Sequence, residues 1–305
     1  MSTSKHLHCV FDIEDVKGVL VPPKAFKPDV VADALTYEAA AGDVFLATYP
    51  KTGATWTQYI IWTLLNTNDD LPSFFDIMNK HIPFLEMVGK DVIEALPQPR
   101  LIKHHLPFSL SPYNPEAKYV VIVRNPFDVV VSYYHHYKDM KSLMCETSKD
   151  FTFEDFFEVF LDGKVAFGDY FDHVLSWYDH RNDSNVFFFY YEDLKERPRD
   201  IVLQLADFLN AEDGDEFRRH PGLLDEVVRR TAFDNMKGRI VIDQDVHGVE
   251  ADADKTNAPL RNFFRKGVIG DWRNYLNAEQ KNRLRKIYER RMAGTEMHMF
   301  WQRYL

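Results

Sequence analysis

The stretch "VFLATYPKTGATW", residues 44–56, joins an apolar run to a Pro-Lys-Thr-Gly turn and then to a second apolar pattern. The first part is short, rich in aromatic and β-branched residues, and closed by a polar turn, which predicts a buried strand over 43–49. Trp56, Tyr59, Ile60, Thr63 and Leu64 then repeat at helical spacing. Strand, turn and helix in this order form an anion cradle: backbone amides exposed after Pro50 meet the positive end of the helix. The spelling differs from the common phosphate loop, G-x-x-x-x-G-K-[ST]. Lys51 comes first here and Gly53 follows it.

Three more segments extend the pattern. "KYVVIV" (118–123) and "NVFFFYY" (185–191) read as buried parallel strands, and "PRLIKHH" (99–105) as a shorter one. After the second of the main strands, Asn125 can cap a helix, Pro126 suits its first position and Asp128 its first turn. Further helices are expected over 153–161, 201–209, 222–230 and 278–292. This alternation predicts an α/β fold: a central parallel sheet flanked by helices, in one domain spanning 1–305. Neither a linker nor a repeat divides the chain.

Ligands on such sheets gather at the carboxyl ends of the strands. Reading those ends gives Lys51, Lys103 with His105, Arg124 and Tyr191. A second basic cluster lies in "NFFRKGVIGDW" (262–272), where Arg265 and Lys266 abut Gly267. Glycine permits close backbone approach, and arginine can grip a phosphate with two parallel hydrogen bonds. The preceding stretch lacks helical periodicity, and 237–270 reads as a loop that covers a ligand. Two separate cationic sites suggest a ligand with two separate anionic groups.

Net charge is −10, from 37 Lys and Arg against 47 Asp and Glu. Nucleic acid is therefore a poor expectation as partner. The first residues carry no apolar signal core, no run approaches a membrane span, and two cysteines are too few for a disulfide framework. A cytoplasmic protein without a membrane partner is expected.

Together these pieces resemble the cytosolic sulfotransferase family. "TYPKTGATW" is similar to its 5′-phosphosulfate loop, commonly T-Y-P-K-S-G-T-T-W, and "IVRNPFDVVVSYYHHY" to its 3′-phosphate motif. "RKGVIGDW" matches R-K-G-x-x-G-D-W, "IKHHLPF" matches the K-T-H-L-P segment, and "FFFYYEDL" matches another cofactor-side element. The resemblance runs in order from about Val44 to Trp272. It implies a phosphate-loop core related to nucleotide kinases and the cofactor 3′-phosphoadenosine 5′-phosphosulfate (PAPS), which leaves as the desulfated product PAP. It also implies that Lys51, Thr52, Gly53, Ala54 and Thr55 wrap the 5′ end, and that Arg124, Ser132, Arg265, Lys266 and Gly267 hold the 3′-phosphate. Trp56, Tyr191, Thr231 and Phe233 would lie by the adenine.

The same resemblance assigns His105 as general base, in keeping with the ordinary imidazole pKa near 6.5. Lys51 and Lys103 would stabilise charge in the transition state, and Ser132 would tether Lys51 until an acceptor arrives. Adjacent strand residues face opposite ways, so only one of His104 and His105 enters the crevice, and the resemblance selects His105. Phe26, Phe84, Met87, His105 and His136 are the expected acceptor-side residues, with the segment 1–42 lining that side. Asp139 lies close by and could attract an amine. A small phenol or aryl amine-alcohol leads as acceptor, with a steroid or other alcohol as alternative. No metal is expected: a sulfuryl group carries less charge than a phosphoryl group, and no HExxH or Cys/His spacing occurs.

Three departures stand out. Ala54 replaces a common threonine, Thr52 replaces a common serine, and "RNYLNAEQKN" (273–282) matches the family's dimer motif poorly, so a monomer or weak homodimer is expected. Two rival readings are a small-molecule kinase and a non-catalytic nucleotide sensor. The kinase would place an acidic residue at a strand end where Arg124 stands, and the sensor would be expected to lose His105 or Lys51.

Overall fold

The computed structural model describes residues 11–145, 150–236, 241–242, 261–262 and 265–305. A short hairpin, β1 (Glu14–Val16) and β2 (Val19–Val21), precedes helix α1 (Pro28–Ala34). The sheet is built from β3 (Val44–Thr48), β4 (Leu101–His104), β5 (Lys118–Val123) and β6 (Val186–Tyr190). Its order is β4-β3-β5-β6, with every pairing parallel. All residues of β3 and all but the first of β5 are buried. Since neighbours along a strand face opposite ways, these central strands are covered on both faces, which is why they read as unbroken apolar runs.

The register brings the strand ends level. Ala47 pairs with His104, Thr48 with Ile122, and Val123 with Tyr190. The residues that follow each strand therefore share one edge of the sheet. Beyond β4, the chain at 83–86 adds to the edge: Lys103 N–H donates to the Pro83 carbonyl at 2.9 Å, and Phe84 bridges Lys103 in parallel. Helix α2 (Ala54–Leu65) follows β3, and the short α3 (Leu85–Val88) follows the edge segment. Helix α4 (Pro126–Asp139) follows β5.

Helix α4 starts as its sequence requires. The Asn125 side chain accepts from Asp128 N–H at 2.9 Å, and Pro126 occupies the first turn. Asn125 also donates through its main-chain N–H (2.9 Å) and its Nδ2 (2.7 Å) to Glu192 Oε1, and Trp301 Nε1 donates to Glu192 Oε2 at 3.1 Å. Glu192 is fully buried and its pKa is raised by that burial. Its hydrogen bonds offset the desolvation. Asp128 ties the distant C-terminal part to α4: its carboxylate accepts from Gly270 N–H (2.8 Å) and Trp272 N–H (3.2 Å). The helices α5 (Tyr170–Tyr178), α6 (Pro198–Leu209), α7 (Pro221–Arg230) and α8 (Ala278–Met292) complete the layers. The helix expected from 153 occupies Phe153–Leu161, and the one expected from 201 starts earlier, at Pro198. Most of the expected covering loop lies outside the described residues.

Asn125→Ala removes a helix cap and one of the two Asn125 donors to Glu192, the main-chain N–H remaining. It is expected to cost roughly 2–4 kcal/mol, the cap plus one hydrogen bond to a buried carboxyl group. A shift in the urea midpoint checks this; a loss under half a kcal/mol would show that neither bond matters to stability.

Candidate active site

The carboxyl edge of the sheet opens into one cavity. Pro50, Lys51, Gly53, Ala54 and Thr55 form one wall, from the turn after β3 into the first turn of α2. Lys51 has φ 68° and Gly53 φ 123°. A side chain at position 53 would put its Cβ 2.9 Å from Ile122 Cδ1 and 3.1 Å from the Tyr191 ring, so glycine is required by space as well as by backbone. The first amides of α2 lie at this wall with no side-chain cap.

Thr52 behaves differently from the expectation. It directly follows the loop lysine, yet it is fully buried and does not line the cavity. Its hydroxyl donates to the Tyr49 carbonyl at 2.8 Å, which fastens the turn from beneath. The hydroxyl is therefore not offered to a ligand.

Arg124 and the 265–267 segment form the second cationic wall. Arg124 Nη1 donates to the Lys51 carbonyl at 3.5 Å and Nη2 to the Val268 carbonyl at 3.1 Å, so one guanidinium joins both loops. The guanidinium lies 4.2 Å from the Tyr191 ring centre, while its buried Nε has no hydrogen-bond partner among the described residues. Asp271 sits 2.5 Å from Arg265 Nη1 and 2.8 Å from Lys266 Nζ. Burial alone would raise the Asp271 pKa, but hydrogen bonds from Lys266 and Asn274 together with the Arg265 charge outweigh it and hold the carboxyl at about 2. Gly267 (φ 63°) passes so near Phe233 that a Cβ there would lie 2.3 Å from its ring.

Trp56, Tyr191 and Phe233 add an aromatic side to this half. Thr231, expected beside a ligand, does not line the cavity. Its hydroxyl donates to Val227 and its carbonyl accepts from Trp56 Nε1 at 2.8 Å. Thr231 thus orients the indole and makes no direct contribution to the wall. Ser132, from α4, does line the cavity.

His105 faces the cavity and His104 faces away, held by Ser111 Oγ at 3.0 Å from Nε2. The His105 ring is 2.6 Å from the Thr48 carbonyl through Nδ1. A carbonyl can only accept, so Nδ1 carries the proton and Nε2 keeps its lone pair. Burial lowers the His105 pKa well below its usual value, with Lys103 adding to the effect. The ring is neutral at ordinary pH. Lys103 is 4% exposed and lies 4.0 Å over the Phe84 ring. Burial lowers its pKa to about 7, and burial likewise lowers Lys51 to about 8, Asp139 opposing and Arg124 and Arg265 assisting.

The far side is apolar. Phe26, Phe84 and Met87 line it, and His136 and Asp139 also line the cavity. The segment 1–42 contributes Ala25 and Phe26 here, and residues 1–10 lie outside the described residues. Sequence reasoning missed Phe167, which packs edge-on to His105 at 5.0 Å and to Phe26 at 5.2 Å. Its φ is 63°, uncommon for an aromatic residue, and its N–H donates to the Leu20 carbonyl of β2 at 2.7 Å. The one available signal was its place before Gly168 in "VAFGDY". Glu86 was missed as well: it is fully buried, and its Oε1 accepts His105 N–H at 2.6 Å.

Comparison with known proteins agrees with this geometry. A family profile described as the sulfotransferase domain matches residues 41–296. The chain is 33% identical to mouse sulfotransferase 1B1, over 88% of this chain and 91% of that one. It is also 33% identical to rabbit amine sulfotransferase, over 87% and 85% respectively. Among solved structures it is similar to mouse sulfotransferase SULT7A1 complexed with PAP, with TM-score 0.75, 26% identity, and coverage of 96% of this chain and 98% of that one. With the family profile spanning most of the sequence and both cationic loops meeting in one cavity, the chain belongs to the cytosolic sulfotransferase family.

Proposed function

We propose that this enzyme transfers the sulfuryl group of PAPS to a hydroxyl or amine of a small acceptor, with a phenol or aryl amine-alcohol as the leading class. The observation that carries the reading is the meeting of Lys51, Arg124, Arg265 and Lys266 in a cavity that also contains His105 and an apolar wall. The Arg124 Nε, without a partner among the described residues, and the two glycine-lined approaches at positions 53 and 267 suit a ligand with two anionic ends. SULT7A1, one of the solved structures it is similar to, is complexed with PAP. A steroid or other alcohol is the second acceptor reading.

Lys51 with the amides of Gly53, Ala54 and Thr55 would hold the 5′ end. The loss of a hydroxyl at Ala54 leaves its amide available. Arg124, Ser132, Arg265, Lys266 and Gly267 would hold the 3′-phosphate, and the Trp56, Tyr191 and Phe233 rings would face the purine, where stacking contributes about 1–3 kcal/mol per base. When bound, the cofactor supplies an activated sulfuryl group. His105 Nε2 would take the acceptor proton. Nδ1–H, fixed on Thr48, keeps the ring turned to do so. Lys51 and Lys103 would balance charge developing on the bridging and sulfuryl oxygens. Phe26, Phe84, Met87, Phe167 and His136 would enclose the acceptor, and Asp139 would favour one carrying an amine.

A cytoplasmic monomer or weak homodimer belongs to the same reading. In its support, no helix among the described residues is long and apolar enough to cross a membrane, and the 273–282 segment departs from the usual dimer pattern.

Labelled-sulfate transfer from PAPS to a panel of phenols, arylamines and sterols tests the proposal; no product with any of them would overturn it. His105→Ala is expected to abolish turnover while PAP affinity by calorimetry stays within a few-fold, and retained turnover would remove the base assignment. Lys51→Ala is expected to slow the reaction by at least ~10²-fold, the scale of one preorganised donor. A rate within a few-fold of the parent would take Lys51 out of the chemistry.

The pH dependence follows from the shifts. His105 is depressed, so its neutral form is lost only as pH falls below the usual imidazole range, and the acid limb should lie below 6.5. Lys103 and Lys51 lose charge as pH rises through about 7 and about 8. kcat/KM should decline across that window, whereas kcat, which reports the anion-loaded state, should hold to higher pH. Coincident alkaline limbs in both profiles would contradict this.

A further inference from the structure

His105 stands one residue beyond the end of β4, and that position poses a backbone problem. The last pair of the ladder on this strand is Ala47 with His104. Neither the N–H nor the carbonyl of His105 bonds to another main-chain group among the described residues, although the residue is buried. Buried peptide groups left without partners are costly. Two buried side chains answer the need. Glu86 Oε1 accepts the His105 N–H at 2.6 Å, and His173 Nε2 lies 3.1 Å from the His105 carbonyl oxygen. With its ring fixed on Thr48, His105 is held at three points by three elements, α3, α5 and β3.

His173 has no part in the reaction as described. It is 3% exposed near the start of α5 and does not line the cavity. A carbonyl can only accept, so Nε2 carries the proton and Nδ1 keeps a lone pair. That Nδ1 is buried with no hydrogen-bond partner among the described residues. The ring therefore makes the bond to His105 while its other nitrogen goes unsatisfied. Burial pushes its pKa down to about 4, which leaves a neutral ring with a single N–H to give.

The helix end that carries His173 is itself anchored. The Asp169 side chain accepts from Asp172 N–H at 2.8 Å and caps α5. Tyr49, next after β3, donates from its hydroxyl to the Gly168 carbonyl at 2.9 Å. Its ring meets the His173 ring edge-on, with centres 5.4 Å apart. The imidazole thus reaches the His105 carbonyl from a support tied to the strand that leads into the Lys51 turn.

We propose that His173 is a positioning residue for the base: by donating from Nε2 to the His105 carbonyl, it keeps the His105 ring seated on Thr48 with its own Nε2 turned to the acceptor. The role of His105 as base rests on the sulfotransferase reading, but the bond and its effect on the ring are properties of the protein alone. His173 needs no contact with either substrate.

His173→Gln and His173→Leu separate the bond from the bulk. Glutamine keeps an N–H donor at similar reach, whereas leucine fills the space and donates nothing. In ligand-free ¹⁵N-labelled protein, the His105 Nδ1–H should give a slowly exchanging proton resonance, assigned by its loss in His105→Ala. It is expected to persist in His173→Gln and to broaden or vanish in His173→Leu. An unchanged resonance in His173→Leu overturns the proposal whatever the assay with PAPS gives. In transfer assays kcat should fall at least ~10-fold in His173→Leu, since a misplacement of about 1 Å can cost ~10²-fold. His173→Gln should recover most of that loss, and PAP affinity by calorimetry should stay level in both. Equal losses of kcat in the two variants would assign His173 to packing and overturn the proposal. Should neither variant fold, ¹⁵N shifts of the parent protein still decide. They should show His173 protonated on Nε2 and bare on Nδ1, and the opposite tautomer would leave the His105 carbonyl without its donor.

Discussion

Repulsion between like charges is the constraint around which this molecule is arranged. Lys51, Lys103, Arg124, Arg265 and Lys266 all face one cavity in a protein whose net charge is negative. Such a group disperses unless the chain holds it together. The parallel sheet supplies the first restraint by bringing its strand ends level, and the buried acids supply the second. Asp128 fastens the Gly270–Trp272 turn to helix α4, Asp271 sits between Arg265 and Lys266, and Glu192 secures the start of α4 just after Arg124. Each of these acids lies outside the cavity lining, behind the cations it supports.

That placement has a chemical result. The cavity keeps its positive field because the balancing charges stand one layer back, where they restrain the cations without occupying the space in front of them. Asp139 is the sole acidic lining residue among those described, and its charge favours the ammonium form of Lys51.

Much of this was legible in the chain. The four strands were visible because residues buried on both faces leave uninterrupted apolar runs, and the start of α4 was visible because Asn, Pro and Asp each favour a defined place in a first turn. The ligand-facing lysines and arginines could be located once strand ends were taken as the place to look. What could not be read depends on packing between distant segments. Thr52 looks like a ligand-facing hydroxyl until the Tyr49 carbonyl is seen beneath it, and Thr231 looks like an adenine neighbour until its carbonyl is found holding the Trp56 indole. Phe167 reaches His105 only because β2 fixes its backbone with a left-handed turn. Nothing local in "VAFGDY" or "PFLEM" specifies such partners.

The Arg124 guanidinium, shared between the Lys51 and Val268 carbonyls, bears on how the family can vary. A residue that anchors a single loop can drift when that loop adjusts around it. Here two stretches separated by more than two hundred positions depend on the same planar fork, so a replacement at 124 succeeds only if both accommodate it together. Tolerance at this position is consequently a joint property of both stretches, and change there has to be concerted to leave the two cationic walls of the cavity facing each other.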